Sequence, residues 1–153
     1  MLFAQQADKD LDRTLKLLNK ESVSYIKVSK AATISSCHFL DARELNEFTV
    51  SHIPKAIHVG YNEFDSSKVF SSIKNKRDTV VVYCSIGVRS EDIGEKLLSA
   101  GYANVYNLYG GIFEWKNQGN KIVDNKENAT DSVHAYSKYW SKFLKSGVKV
   151  YGK

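Results

Sequence analysis

The sequence is poor in the features that mark several large protein classes. It has only two cysteines, Cys37 and Cys84, which are too few for a disulfide framework and are not spaced like metal ligands. No run approaches the roughly 20 apolar residues that a membrane-spanning helix needs, and no internal repeat or low-complexity tract is present. At least one cysteine is therefore expected to be a free thiol.

Positively charged residues are in moderate excess but are not concentrated in one segment of the sequence. The net charge is +5, yet the basic residues are scattered and form no stripe of the kind that binds nucleic acid. We therefore expect a soluble protein that attracts small anions and has neither a nucleic-acid nor a membrane partner. The content of 42% hydrophobic and 25% charged residues in 153 residues is typical of one globular domain with added segments at its ends.

The first six residues (MLFAQQ) resemble the end of a signal peptide, since small Ala4 precedes a polar stretch. The charged and apolar regions that define such a peptide are not present. Two expectations stay open: a cytoplasmic protein, or an exported protein, for instance a periplasmic one, whose leader has been removed.

The hydrophobic pattern predicts an α/β fold built on a parallel sheet. Leu11, Leu15 and Leu18 recur at helical spacing and predict an amphipathic helix over residues 7–20 that packs on the domain edge. Residues 79–83 (TVVVY) are apolar on both faces, which is typical of a central parallel strand. Other strands and helices are predicted to alternate around it, with strands at 25–28, 37–41, 56–59 and 105–108 and helices over 90–100 and from 110 onward.

Residues 82–90 (VYCSIGVRS) carry the chemical signature of the chain. In this segment a buried strand leads into a tight loop whose backbone N–H groups converge on one point, and a helix N-terminus follows. Gly87 can adopt the backbone angles that such a loop demands. Cys84 is predicted to be a nucleophile whose thiolate is stabilised by these donors and by Arg89. The alternative is a buried, inert cysteine, but the offsets of Gly87 and Arg89 favour the functional interpretation.

Five blocks of sequence follow one another at 41–48, 51–57, 82–90, 101–105 and 108–115. In this order they resemble a rhodanese homology domain, the family of rhodanese-like sulfurtransferases. The resemblance covers about residues 22–122 and implies a five-stranded parallel sheet flanked by helices, with the active loop at the carboxyl end of the central strand. We expect an N-terminal helix in residues 1–21 and a linker with an aromatic C-terminal helix in residues 123–153.

The resemblance also implies a reaction. Family members take sulfane sulfur from a donor such as thiosulfate onto the loop cysteine, here Cys84, and pass it from the persulfide to a thiol or cyanide. The partners would be a small anionic donor with such an acceptor, or a sulfur-relay protein, and no metal or organic cofactor is required. The predicted anion-binding loop consists of Ser85, Ile86, Gly87, Val88, Arg89 and Ser90.

Three more residues match family positions that lie near the loop or brace it: Asp41, Arg43 and His52. The simplest interpretation is structural, with Arg43 in an ion pair with Glu44 or Glu47 and His52 hydrogen-bonded in a turn. Cys37 is predicted to be a packed thiol, although a role in resolving the persulfide stays open.

Two other functions compete with sulfur transfer. Cysteine-based phosphatases and arsenate reductases related to this fold place one more residue between cysteine and arginine than the four found here, and the smaller ring suits a single sulfur atom. Inactive rhodanese-like binding modules usually lack the cysteine or have a degraded loop, whereas Cys84 and Arg89 are both present.

The aromatic residues near the C-terminus have no role in the resemblance. Their spacing predicts that most of them share one helical face. Because so many aromatic rings are costly to leave in water, we expect them to pack on the domain or on a second copy in a homodimer, bordering the active loop. The set is Tyr136, Tyr139, Trp140, Phe143 and Leu144.

Overall fold

A computed structural model describes residues 2–152, so Met1 of the signal-like start lies outside the described residues. Within this range no helix combines the length and apolar character needed to cross a membrane. The elements in chain order are α1 (Leu2–Leu18), β1 (Tyr25–Ile26), α2 (Val28–Ala31), β2 (Cys37–Asp41), α3 (Leu45–Val50), β3 (Ile57–His58), α4 (Ser66–Ser72), β4 (Thr79–Tyr83), α5 (Arg89–Ser99), β5 (Asn104–Leu108), α6 (Gly111–Asn117), β6 (Ser132–His134), a 3-10 helix (Trp140–Phe143) and β7 (Val148–Val150).

Strands β1 to β5 form one parallel sheet in the order β1-β5-β4-β2-β3. The predicted α/β fold is thus confirmed, and β4 is the central strand as its sequence indicates. Asp41, the last residue of β2, is in register with Tyr83, the last residue of β4. The carboxyl ends of these strands therefore meet at one edge, where ligands bind in sheets of this kind.

Helices cover both faces of the sheet, and β4 shows this directly. Its alternate residues Val81 and Tyr83 belong to a core cluster that includes side chains of α1 and α6. Val80 and Val82 belong to a second cluster with side chains of α4 and α5. Because successive side chains of a strand point to opposite faces, the unbroken apolar run of β4 fits a strand buried on both sides.

Helix α1 packs on the sheet as the leucine pattern indicates. Leu11 and Leu15 are buried in the first core cluster. Leu18, which was predicted on the same face, is 48% exposed because it is the last helical residue.

The predicted aromatic C-terminal α-helix is wrong. Residues 132–150 instead form the two short parallel strands β6 and β7, joined by a four-residue 3-10 helix. Tyr136 has φ +65°, in the left-handed region that cannot continue a right-handed helix. The expected packing on the domain holds for only part of the set. Phe143 and Leu144 are buried in the first core cluster and Trp140 packs against it, whereas Tyr136 and Tyr139 are 50% and 61% exposed.

Candidate active site

Cys84 directly follows β4 at the carboxyl edge of the sheet, and its residue is 1% exposed. It lines a pocket of about 120 Å³ together with Ser85, Ile86, Val88, Arg89, Tyr136 and Trp140. The sequence-predicted loop therefore forms one wall of this pocket. The loop ends at Arg89, which is also the first residue of α5, so the N-terminal amides of that helix lie at the end of the loop.

One loop amide points directly at the cysteine sulfur. The Gly87 N–H donates to Cys84 Sγ at 3.2 Å, and Gly87 has φ +112°, where only glycine is comfortable. The other side of the same residue is held in place, because the Gly87 carbonyl accepts hydrogen bonds from Asn107 Nδ2 at 2.8 Å and Asn19 Nδ2 at 2.9 Å. The N–H that faces the sulfur is thus preorganised.

Ser90 lies close to the sulfur but is bonded elsewhere. Its Oγ is 3.5 Å from Cys84 Sγ and 2.7 Å from Asn107 Oδ1. Since a hydroxyl has one proton, the shorter contact indicates that Ser90 donates to Asn107. Asn107 therefore holds both Gly87 and Ser90 in place, and this contact was not predicted from the sequence. Asn107 is fully buried, and the signal available in the sequence was one amide side chain within the predicted strand at 105–108 (VYNL).

The start of the loop is anchored on α6. Ile112 N–H donates to the Cys84 carbonyl at 3.0 Å, and Phe113 N–H donates to the Ser85 carbonyl at 3.2 Å. These are N-terminal amides of α6, which have no acceptor within their own helix. Gly111, the first residue of α6, makes this close approach of two backbones possible.

We predict that Gly111→Ala distorts the active loop. An added Cβ would lie 2.4 Å from the Cys84 carbonyl oxygen and 2.5 Å from that of Ser85, and neither backbone can move without shifting Cys84. The unfolding free energy should fall by more than about 3 kcal/mol, measured by urea denaturation. Gly119→Ala is the matched control, because Gly119 also has positive φ (+80°) but nothing lies within 4 Å of its added Cβ. It should cost only about 1 kcal/mol, and equal losses in the two variants would contradict the steric argument.

Arg89 is held by Glu47 rather than left free. Its Nη1 and Nη2 donate to the two carboxylate oxygens of Glu47 at 2.7 and 2.8 Å, and Nη2 also reaches Ser85 Oγ at 3.1 Å. Burial acts to raise the pKa of Glu47, but the hydrogen bonds and charge of Arg89 outweigh it and lower that pKa. The pair is therefore ionised, and bidentate pairing of this kind fixes the orientation of the guanidinium.

Glu47 is positioned by the helix that contains it. It is the third residue of α3, and its Oε2 accepts the backbone N–H of Glu44 at 2.9 Å as half of a capping box. The predicted ion pair of Arg43 with Glu44 or Glu47 is wrong in both alternatives. Arg43 instead bonds to Asp41, with Nη2 at 2.7 Å and Nε at 3.0 Å from its carboxylate, and both residues are fully buried.

Of the three residues predicted to lie near the loop or brace it, two lie next to the start of the loop and the third makes its contacts elsewhere. Asp41 and Arg43 are next to Tyr83, the residue before Cys84, and the Arg43 guanidinium lies 5.8 Å from the Tyr83 ring centre. His52 stacks on Phe48 at a ring separation of 3.9 Å, with its nitrogens bonded to Phe48 O and Glu127. None of its recorded contacts is to residues 84–90, so bracing of the loop by His52 stays a prediction.

Cys37 lies at the other end of the sheet. It opens β2 and is in register with Thr79, whereas Asp41 at the end of β2 is in register with Tyr83. Four residues of extended strand correspond to about 13 Å. Burial raises the pKa of the Cys37 thiol, which further disfavours a redox partnership with Cys84.

The remaining walls of the pocket come from the C-terminal segment. Tyr136 places its ring 4.8 Å from the guanidinium carbon of Arg89, a cation–π contact, and Trp140 faces the same pocket. The expectation that these aromatic residues border the loop is therefore met by Tyr136 and Trp140. Among the described residues, no cluster of histidine, cysteine and carboxylate side chains could hold a metal ion.

Comparison with known proteins agrees with this fold. A family model described as a rhodanese-like domain matches residues 14–118. The thiosulfate sulfurtransferase GlpE of Coxiella burnetii is 30% identical over 76 residues, which is 50% of this chain and 68% of that protein. The rhodanese-like domain-containing protein 17 of Arabidopsis thaliana is 30% identical over 137 residues, covering 80% of this chain and 88% of that one. A solved structure described as rhodanese with anions from E. coli has a TM-score of 0.51 at 28% identity, covering 59% of this chain and all of that one.

The structure is that of an α/β protein with a cysteine in the loop that follows the central strand of its parallel sheet. The chain belongs to the rhodanese-like family.

Proposed function

We propose that this protein is a sulfurtransferase in which Cys84 takes up sulfane sulfur as a persulfide and passes it to a thiol or cyanide. The thiolate of Cys84 attacks the outer sulfur of thiosulfate, a new S–S bond forms, and sulfite leaves with the electron pair of the old one. Cyanide then attacks the terminal sulfur, thiocyanate leaves, and the thiolate is restored. Atoms and charges balance in both steps, and no cofactor takes part.

The observation that carries the proposal is the position of the Cys84 sulfur. It lies in a pocket with the Gly87 N–H only 3.2 Å away. Two hydrogen bonds to the Gly87 carbonyl hold that donor in place before any substrate arrives, and fixed donors of this kind stabilise developing negative charge. The similarity to a protein named thiosulfate sulfurtransferase supports the same conclusion.

Arg89 supports the reaction by holding the loop and by facing the leaving group. Its guanidinium is fixed by Glu47 but still lines the pocket beside Cys84. Arginine offers five N–H donors, so those not used by Glu47 and Ser85 can bind the departing sulfite.

Mass spectrometry of the intact protein after treatment with thiosulfate tests the proposal. We expect a gain of one sulfur atom, mapped to Cys84 by peptide analysis, that cyanide removes with release of an equal amount of thiocyanate. If the protein gains no sulfur, the alternative function, that of an inactive rhodanese-like binding module, is supported instead. Turnover of a generic aryl phosphate at a rate comparable to that of thiosulfate would instead identify a cysteine-based phosphatase.

A further inference from the structure

Two pocket residues lie outside the segment that matches the family. The family model ends at residue 118, whereas Tyr136 and Trp140 come from the segment that follows. Both line the pocket that contains Cys84. The loop supplies the chemistry of the site, and these two rings supply a separate wall.

This aromatic wall is fixed to the domain. The Ala135 N–H donates to the Val150 carbonyl at 2.8 Å, and the Tyr136 N–H donates to His134 Nδ1 at 3.1 Å. At the last residue of the 3-10 helix, the Phe143 carbonyl accepts a hydrogen bond from Asn117 Nδ2 at 2.9 Å. Trp140 packs against the first core cluster beside the buried Phe143. Tyr136 is 50% exposed and is held by its backbone hydrogen bond and by its contact with Arg89. The two rings therefore form a preorganised surface.

The pocket carries less positive charge than the presence of Arg89 suggests. Glu47 cancels the formal charge of Arg89 through two short hydrogen bonds, and the Cys84 thiolate that must react adds a negative charge. The other lining side chains are uncharged. A dianion is therefore repelled more strongly than a monoanion here, because Coulomb energy scales with charge and is weakly screened in a buried site.

The size and lining of the pocket suit a small organic group. The side chains of Ile86, Val88, Tyr136 and Trp140 give it a predominantly apolar surface. Its volume of about 120 Å³ is comparable to the roughly 150 Å³ apolar cavity that admits benzene. A single ring or a short alkyl chain fits this space, whereas an inorganic anion leaves the apolar walls uncovered.

We propose that Tyr136 and Trp140 make this site selective for an organic sulfur donor, a monoanionic thiosulfonate that carries a small aryl or alkyl group. The proposal rests on the sulfurtransferase function and names its donor class. Cys84 attacks the terminal sulfur of the donor, the S–S bond to the sulfonyl sulfur breaks, and the organic sulfinate leaves with the electron pair. The organic group lies against Trp140 while the sulfonyl oxygens face Arg89.

Single-turnover persulfide formation with three donors tests this selectivity. Benzenethiosulfonate, methanethiosulfonate and thiosulfate are compared with the whole chain, and each rate is divided by the rate at which free cysteine reacts with the same donor. We expect the corrected rate to be highest with benzenethiosulfonate and lowest with thiosulfate. In Trp140→Ala the ratio of the benzenethiosulfonate rate to the thiosulfate rate should fall about tenfold, and Trp140→Phe should restore most of it.

Phe70→Ala is the matched control, since Phe70 is an aromatic residue of α4 that is 44% exposed and does not line the pocket. It should leave all three rates unchanged. Glu47→Gln tests the charge argument, because it leaves the charge of Arg89 uncancelled. The thiosulfate rate relative to that of methanethiosulfonate should then rise at least about fivefold.

The outcomes separate this proposal from the one on which it depends. If no donor places sulfur on Cys84, the sulfurtransferase function itself is wrong. If thiosulfate loads Cys84 but the corrected rates of the three donors are equal, or if the ratio in Trp140→Ala matches that of the wild type, only the donor selectivity is overturned. Even if Trp140→Ala does not fold, the comparison of the three donors in the wild-type protein tests the donor selectivity.

Discussion

Replacing Cys84 by serine is expected to lower sulfur transfer from thiosulfate to cyanide by at least about three orders of magnitude. A hydroxyl is a far weaker nucleophile than a thiolate at neutral pH, and it cannot hold sulfur as a persulfide. The side chains are close in size, so the Gly87 N–H and the anchors on α6 should keep the loop in place. Thiocyanate production is the measurement, with the unfolding free energy recorded alongside it.

Cys37→Ser provides the control for this experiment. Cys37 lies at the opposite end of β2 from the active loop, so its loss should leave transfer within about twofold of the wild-type rate. A Cys84→Ser variant that keeps full transfer would overturn the mechanism. Strong loss in Cys37→Ser, with unchanged stability, would instead assign the second thiol a role in the reaction.

Asp41→Ala is expected to destabilise the fold by about 3–5 kcal/mol. The substitution leaves the Arg43 guanidinium fully buried without the carboxylate that it contacts at 2.7 Å, and an uncompensated buried charge is among the costliest defects in a protein. Such a loss is a large share of a typical total stability of about 5–15 kcal/mol. Thermal unfolding should shift down by about 10 °C or more, and urea denaturation gives the free energy.

Two variants distinguish this effect from ordinary loss of an ion pair. Asp12→Ala removes the partner of Lys16 in an exposed pair at 2.9 Å and should cost at most about 1 kcal/mol. The double variant Asp41→Leu with Arg43→Met removes both buried charges and should recover a substantial part of the stability lost in Asp41→Ala. If Asp41→Ala and Asp12→Ala cost the same, the buried pair is not the critical element.

Local patterns in the sequence predicted the sheet and the reactive loop. The run of β-branched residues in β4 identifies a strand that must be buried on both faces, and the order of strand, cysteine, glycine and helix then places Cys84 at the carboxyl edge. These predictions need only neighbouring residues. The contact between Gly87 N–H and Cys84 Sγ spans only three positions, so it could be anticipated from the local sequence.

The partners of the loop could not be predicted in the same way. Glu47 and Arg89 are 42 positions apart, and Arg43 had three nearby carboxylates with no local rule to choose among them. The helical spacing of the aromatic residues was also misleading, because the chain turns at Tyr136 with φ +65° and only Trp140, Phe143 and Leu144 pack in the first core cluster or against it. For the ion pairs and for the C-terminal segment alike, tertiary contacts select one arrangement among several that the local sequence allows.

The anchors of the active loop also limit how this protein can evolve or be redesigned. The loop is tied at its start to α6, in its middle to Asn107 and at its end to Glu47. Adding one residue between Cys84 and Arg89, to enlarge the ring for a phosphoryl group, would have to break at least one of these attachments. A change from sulfur to phosphorus chemistry therefore requires a coordinated remodelling of three distant elements, and a single insertion should yield a damaged loop rather than a new enzyme.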